Sequence, residues 1–152
     1  MTGPINYRSI VVGTDGSPTS KEAVRQAAAL AAASGARLHL VYAFKESVMP
    51  AAAAMAAGGI TPPVFHDDLR GEVDNLLEYA AAVIDDKSIE VERHGRPGSA
   101  AGVLVQVAED VKADLIVVGN RGMSGARRVL GSVPNKVAHN APCSVLIVDT
   151  CD

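Results

Sequence analysis

Three short stretches carry residue types suited to holding an anion: Gly13-Thr14-Asp15, Gly119-Asn120-Arg121-Gly122 and Gly131-Ser132-Val133. The first two directly follow β-branched apolar runs, Ile10-Val11-Val12 and Leu115-Ile116-Val117-Val118. Glycines placed there permit positive φ and close backbone approach, so their N–H groups can point at a phosphate. The third opens a helical segment with Pro134 in its first turn. A helix start adds unpaired N–H donors, partial positive charge and a Ser hydroxyl, which suit phosphate. Asp15 could accept from a ribose hydroxyl, so together these groups describe a nucleotide site. Each also has a plain structural use: Gly119 and Gly122 as turn residues, Ser132 as a helix cap, Asp15 as the N-cap of the next helix.

The elements between these stretches must bring them together. Ser9 to Val12 reads as a buried strand. Ser17-Pro18 opens a helix, with Thr19 and Glu22 at capping-box spacing as an alternative start. That helix buries Ala23, Ala27, Leu30 and Ala31 and stops at Ser34-Gly35. Arg37 to Phe44 is the second strand. Residues 45–65, with their alanine run and Gly and Pro pairs, read as a long mobile excursion. From Asp67 a helical stripe runs through Leu69, Val73, Leu76, Leu77, Ala80, Val83 and Ile84. Ile89 to Arg93 alternates as an edge strand does. A helix opening at Gly98-Ser99, a strand over Asp114 to Val118, a helix ending near His139-Asn140 and a last strand, Ser144 to Val148, complete the chain.

Strands alternating with helices pair in parallel through right-handed crossovers, which covers both faces of the sheet. The most polar strand, the third, belongs at an edge. The expected fold is therefore α/β: an open parallel five-stranded sheet in the order 3-2-1-4-5, forming a single domain over residues 1–152. In such a sheet ligands bind beyond the carboxyl ends of the strands where the order reverses. Here that is between strands one and four, at Asp15 and Gly119.

Composition narrows the function classes. A net charge of −3 disfavours a general nucleic-acid partner, and 3% aromatic residues with no Trp disfavours single-strand stacking. No apolar run is long enough for a membrane span and no signal segment is evident, so a cytoplasmic protein is expected. The G-x4-G-K-[S/T] loop and the G-x-G-x-x-G turn are both missing. His39, His66, His94 and His139 lie scattered without paired metal-ligand spacing, so no metal site is expected. Cys143 and Cys151 are separated by the last strand, too far apart for a disulfide. No acid/base pair or nucleophile emerges, so no catalytic residue is assigned.

Val11 to Ser17, the pair Gly119-Asn120-Arg121-Gly122 and Gly131-Ser132-Val133-Pro134, and the final Ala141 to Val148 together resemble the universal stress protein family. The resemblance covers essentially the whole chain and implies its adenine nucleotide alpha hydrolase-like, Rossmann-like fold. The nucleotide-binding branch carries G-x2-G-x9-G-[S/T]; this chain has eight residues between Gly122 and Gly131, one fewer. Lost inside a helix, one residue would rotate the remainder of that helix by about 100°; Ser124-Gly125 offers a loop to absorb it. The resemblance implies ATP, or AMP or a cyclic nucleotide, as ligand, with Mg2+. Asp15 would meet the ribose or adenine edge, flanked by Gly13 and Thr14, and Ala43 would offer backbone to adenine. Gly119, preceded by Val118, would lie against the ribose. Gly122, Gly131, Ser132 and Val133 would hold the phosphates, with Arg121 beside them. It further implies a homodimer through Ser144 to Val148, which would cover an apolar edge strand. Two other roles stay open: a stress interaction protein without nucleotide, and a weak ATPase limited to slow hydrolysis.

Overall fold

The computed structural model describes residues 6–45, 65–120 and 133–150, with the side chains of 65–68 left aside. The expected excursion lies almost wholly outside these residues, as do Arg121, Gly122, Gly131, Ser132 and Cys151. Five strands, β1 (Ser9–Gly13), β2 (Arg37–Phe44), β3 (Val91–Pro97), β4 (Leu115–Gly119) and β5 (Ser144–Val148), form one parallel sheet in the order β3-β2-β1-β4-β5. Four helices are described: α1 (Pro18–Ser34), α2 (Phe65–Ala81), α3 (Ala100–Asp110) and α4 (Val133–Asn140). The order read from the alternation of elements is the one found.

Strand pleating sorts the core into two layers. Ile10, Val12, Leu38, Leu40 and Val117 face α1 and α2; Val11, Val41, Ile116 and Val118 face α3 and α4. Strands buried on both faces must be apolar at successive positions, which is why β1 and β4 read as continuous runs. Helix α1 offers Ala23, Ala27, Ala28 and Ala31, all buried, and such small side chains let it lie close to the sheet. Val103, Leu104 and Val107 of α3 fill the opposite layer.

Ser17 is the N-cap of α1, with extended backbone and its hydroxyl accepting from Ser20 N–H at 3.2 Å, and Pro18 follows at the first helical position. This decides between the two starts open in the sequence, and it removes Asp15 from the capping role. Ser17→Ala should cost about 1 kcal/mol, read as a lower midpoint in urea unfolding with an unchanged slope.

Two boundaries differ from expectation. Strand β3 runs from Val91 to Pro97 rather than from Ile89 to Arg93, because it follows β2 in register from Leu38↔Val91 to Phe44↔Pro97. An edge strand needs only one partner, so its polar residues and a terminal Pro are tolerated. Helix α2 ends at Ala81, and Val83 and Ile84 reach the core from the turn beyond it.

Candidate functional site at the sheet's switch point

The ladder between β1 and β4 joins Ile10, Val11 and Val12 to Leu115, Ile116 and Val117, and goes no further. Both strands continue past it, to Gly13 and Gly119. That is the carboxyl edge, where the strand order reverses.

Backbone alternation determines which groups face β1 beyond the ladder. Thr14 N–H donates to Val41 C=O at 2.9 Å, so Val41 faces β1. Ala43, two residues on, turns its backbone the same way, beyond the ladder's last β1 residue, Gly13. On the other side Asn120 N–H donates to Val148 C=O at 2.9 Å, which turns Asn120 toward β5 and the preceding Gly119 toward β1. The backbone groups of Ala43 and Gly119 thus turn toward β1 from its two flanks.

The rim is built by local chemistry. Thr14 is buried, and its hydroxyl lies 3.2 Å from Ser20 Oγ and accepts from Gly16 N–H at 3.2 Å. Gly16 has φ +77°, the left-handed turn that swings the chain from β1 into α1. Asp15 sits exposed between them, its Oδ1 accepting from Ser17 N–H at 2.9 Å. That Asx turn braces the carboxylate at the carboxyl edge of the sheet. Helices α1 and α3 begin at this same edge with Ser17 and Ser99 as caps, and α4 begins at Val133, which is exposed. Their N-terminal ends give the edge partial positive character.

Gly13, Thr14, Asp15, Ala43, Val118 and Gly119 are therefore brought together as the strand order requires. Val118 itself is buried in the α3 layer. Two of the glycines also serve packing. A Cβ on Gly13 would lie 3.1 Å from Leu104 Cδ1, and one on Gly119 would lie 3.0 Å from Thr150 Cγ2. Thr150 is in turn tied to Asn120 Oδ1 through its N–H at 2.9 Å and its hydroxyl at 3.0 Å. A Gly119→Ala change would push on this C-terminal segment, so it reports packing as well as ligand approach.

Among the histidines, two of the four do meet. His39 on β2 and His94 on β3 stand 3.0 Å apart, Nδ1 to Nε2. Burial holds both imidazoles below their ordinary pKa, with each ring's charged neighbours adding smaller effects. The polar run Arg93 to Pro97 hides this contact in the sequence: β3 continues past Arg93, which puts His94 on the same face as Glu92, the residue opposite His39. Cys143 is half-buried, and burial with nearby Asp114 pushes its thiol up, so it is not a poised nucleophile.

Among the described residues, no helix is long and apolar enough to cross a membrane.

Comparison with known proteins agrees with this architecture. A crystal structure of a universal stress protein in complex with cAMP superposes with a TM-score of 0.68 at 35% identity, covering 96% of this chain and 99% of that one. The hypothetical protein MJ0577 has the same fold, with a TM-score of 0.74 at 22% identity, covering 97% of this chain and 99% of that one. Universal stress protein Rv1636 of Mycobacterium tuberculosis is 36% identical over 152 aligned positions, spanning 95% of this chain and 97% of the relative. The universal stress protein family itself matches residues 6–149. On that match across nearly its full length, the chain belongs to the universal stress protein family.

Proposed function

We propose that this chain is an adenine-nucleotide-binding regulatory protein, with ATP as its principal ligand and the crevice between β1 and β4 as its site. The observation that carries the reading is the early end of the β1–β4 ladder, which leaves Gly119 and Ala43 backbone and the braced Asp15 around one opening. The relative solved with cAMP supports the adenine class. In this reading Ala43 meets the adenine edge and Asp15 a ribose hydroxyl, with Gly13 and Thr14 forming the floor. Gly119 lies against the sugar. The phosphates run toward Gly122, Gly131, Ser132 and the start of α4 at Val133, with Arg121 alongside. Mg2+ travels with them, since it keeps most of its ligands as water and phosphate oxygens. Glycine-loop shortening by one residue bears on the phosphate end, so AMP and cyclic nucleotides are natural competitors.

Displacement of a fluorescent ATP analogue tests this reading. One saturable site per chain, competed by unlabelled ATP, is expected. Absence of saturable binding would overturn it and favour a stress protein that acts through its surface alone.

The C-terminal strand supports a homodimer as part of the same reading. Leu146 and Ile147 on β5 are 36% and 43% exposed, large apolar groups on an edge strand with open backbone bonds. Pairing β5 with its copy across a two-fold axis would cover both and close the edge. Ile147→Asp places like charges near that axis, and sedimentation at micromolar concentration should show the native dimer replaced by monomer. A native chain that sediments as a monomer would refute the pairing.

A further inference from the structure

We propose that His39, Glu92 and His94 form a binding site for a divalent transition cation of the zinc class, separate from the nucleotide crevice. The three side chains project from one face of the β2–β3 pair. Glu92 is directly across from His39 in the register, and His94 follows two residues later on the same side. Their ligand atoms lie within 4.8 Å of one another. The three closest separations are 3.0 Å between the imidazole nitrogens, 3.6 Å from His39 Nδ1 to Glu92 Oε2 and 3.8 Å from His94 Nε2 to Glu92 Oε1. A tetrahedral ion with bonds near 2.1 Å needs ligand atoms about 3.4 Å apart; the two nitrogens are within a few tenths of an ångström of that, while the Glu92 distances are to its two different oxygens, so one oxygen must turn toward both rings to complete the set. Two imidazoles and a carboxylate suit zinc and its neighbours rather than Mg2+ or Ca2+, which require oxygen ligands.

The surroundings fit a cation. His39 is 3% exposed, so one ligand is anchored in the core, while half-exposed Glu92 supplies the negative charge. The nearest guanidiniums are already engaged: Arg37 with Glu90 at 2.7 Å and Arg96 with Asp110 at 2.6 Å. An open cleft of about 410 Å³ reaches His39 and Glu92, and Val111 at the C-terminal end of α3 lines it. A helix C-terminus favours positive charge. Ser9 lines the same cleft. Three protein ligands leave a fourth position toward the cleft for water. Without metal, the two rings share a hydrogen bond, and an ion would take the place of the shared proton.

Equilibrium dialysis of the full chain against ZnCl2, without nucleotide and with millimolar Mg2+ present, tests the proposal. One zinc per chain is expected, and Co2+ in its place should give visible absorption bands of a four-coordinate site. Glu92→Gln and His94→Gln, both at positions with solvent access, should each weaken zinc binding at least ten-fold, whereas His66→Gln combined with His139→Gln should leave it unchanged. ATP affinity should be the same in the native chain and all three variants, which separates this site from the crevice. Failure to retain zinc, or native affinity in Glu92→Gln and His94→Gln, would overturn the proposal.

Discussion

Replacing Asp15 by alanine is expected to weaken ATP binding by about ten- to a hundred-fold, the loss of one hydrogen bond to an ionised acceptor. The position, rather than the residue type alone, leads to that expectation. Asp15 stands at the rim where β1 ends and the chain turns through Gly16, and its carboxylate is braced by Ser17 N–H. It neither caps α1 nor lies in the core, so stability should fall by at most about 1 kcal/mol, for the lost turn. Asp15→Asn keeps an oxygen for Ser17 N–H and removes the charge. If binding tracks the carboxylate, Asn should recover the melting temperature and only part of the affinity. Equal affinity in native, Asn and Ala chains would mean that Asp15 is a turn residue and nothing more.

The second large effect is expected at Gly95, and it concerns the fold. A Cβ added there would sit 2.3 Å from Val73 Cγ1, with Leu77 Cδ1 at 3.6 Å. Both neighbours are buried in α2, at 6% and 2% exposure. Val73 is β-branched and has few side-chain rotamers open to it on a helix, so Gly95→Ala must force Val73 into a poorer rotamer, move α2 off the sheet or bend β3 outward. Overpacking of this kind costs about 1–3 kcal/mol, and so close a contact belongs at the upper end. Chemical unfolding should show the loss as a lower midpoint. A variant as stable as the native chain would mean that α2 adjusts freely over β3. The contrast with Gly71 is instructive, since a Cβ there meets nothing within 4 Å. Gly71→Ala lies within α2 and should stabilise it by about 0.8–1 kcal/mol.

The same physics explains what could be read from the residues alone. Strand order followed from apolar runs on β1 and β4 and from polar alternation on β3, because burial on two faces and on one leave different patterns. Ser17-Pro18 announced the start of α1. The switch point was legible as two glycine-ended strands on either side of a reversal in order. Three features were not. Gly95 gave no signal of its own in the sequence, whereas it is the place where a helix comes close. The end of β3 was hidden because Arg93-His94-Gly95-Arg96-Pro97 has no apolar alternation; its pairing with β2 holds it in the sheet. The meeting of His39 with His94 depended on that extension, since residues 55 apart in sequence become neighbours only through register. The packing roles of Gly13 against Leu104 and Gly119 against Thr150 likewise needed the third dimension.

Two ends of the sheet thus carry different chemistry. The carboxyl edge gathers backbone donors, helix starts and one carboxylate, a set suited to a nucleotide. Toward the amino edge, on the α3 side, two imidazoles and a carboxylate suit a cation.

The most direct measurement is an ATP titration followed by backbone amide chemical shifts. The amides of Gly13, Thr14, Asp15, Ala43 and Gly119 should move together and saturate with a single dissociation constant, while those of Glu92 and His94 stay in place. Saturable shifts confined to another surface, or none at all, would contradict a nucleotide seat between β1 and β4.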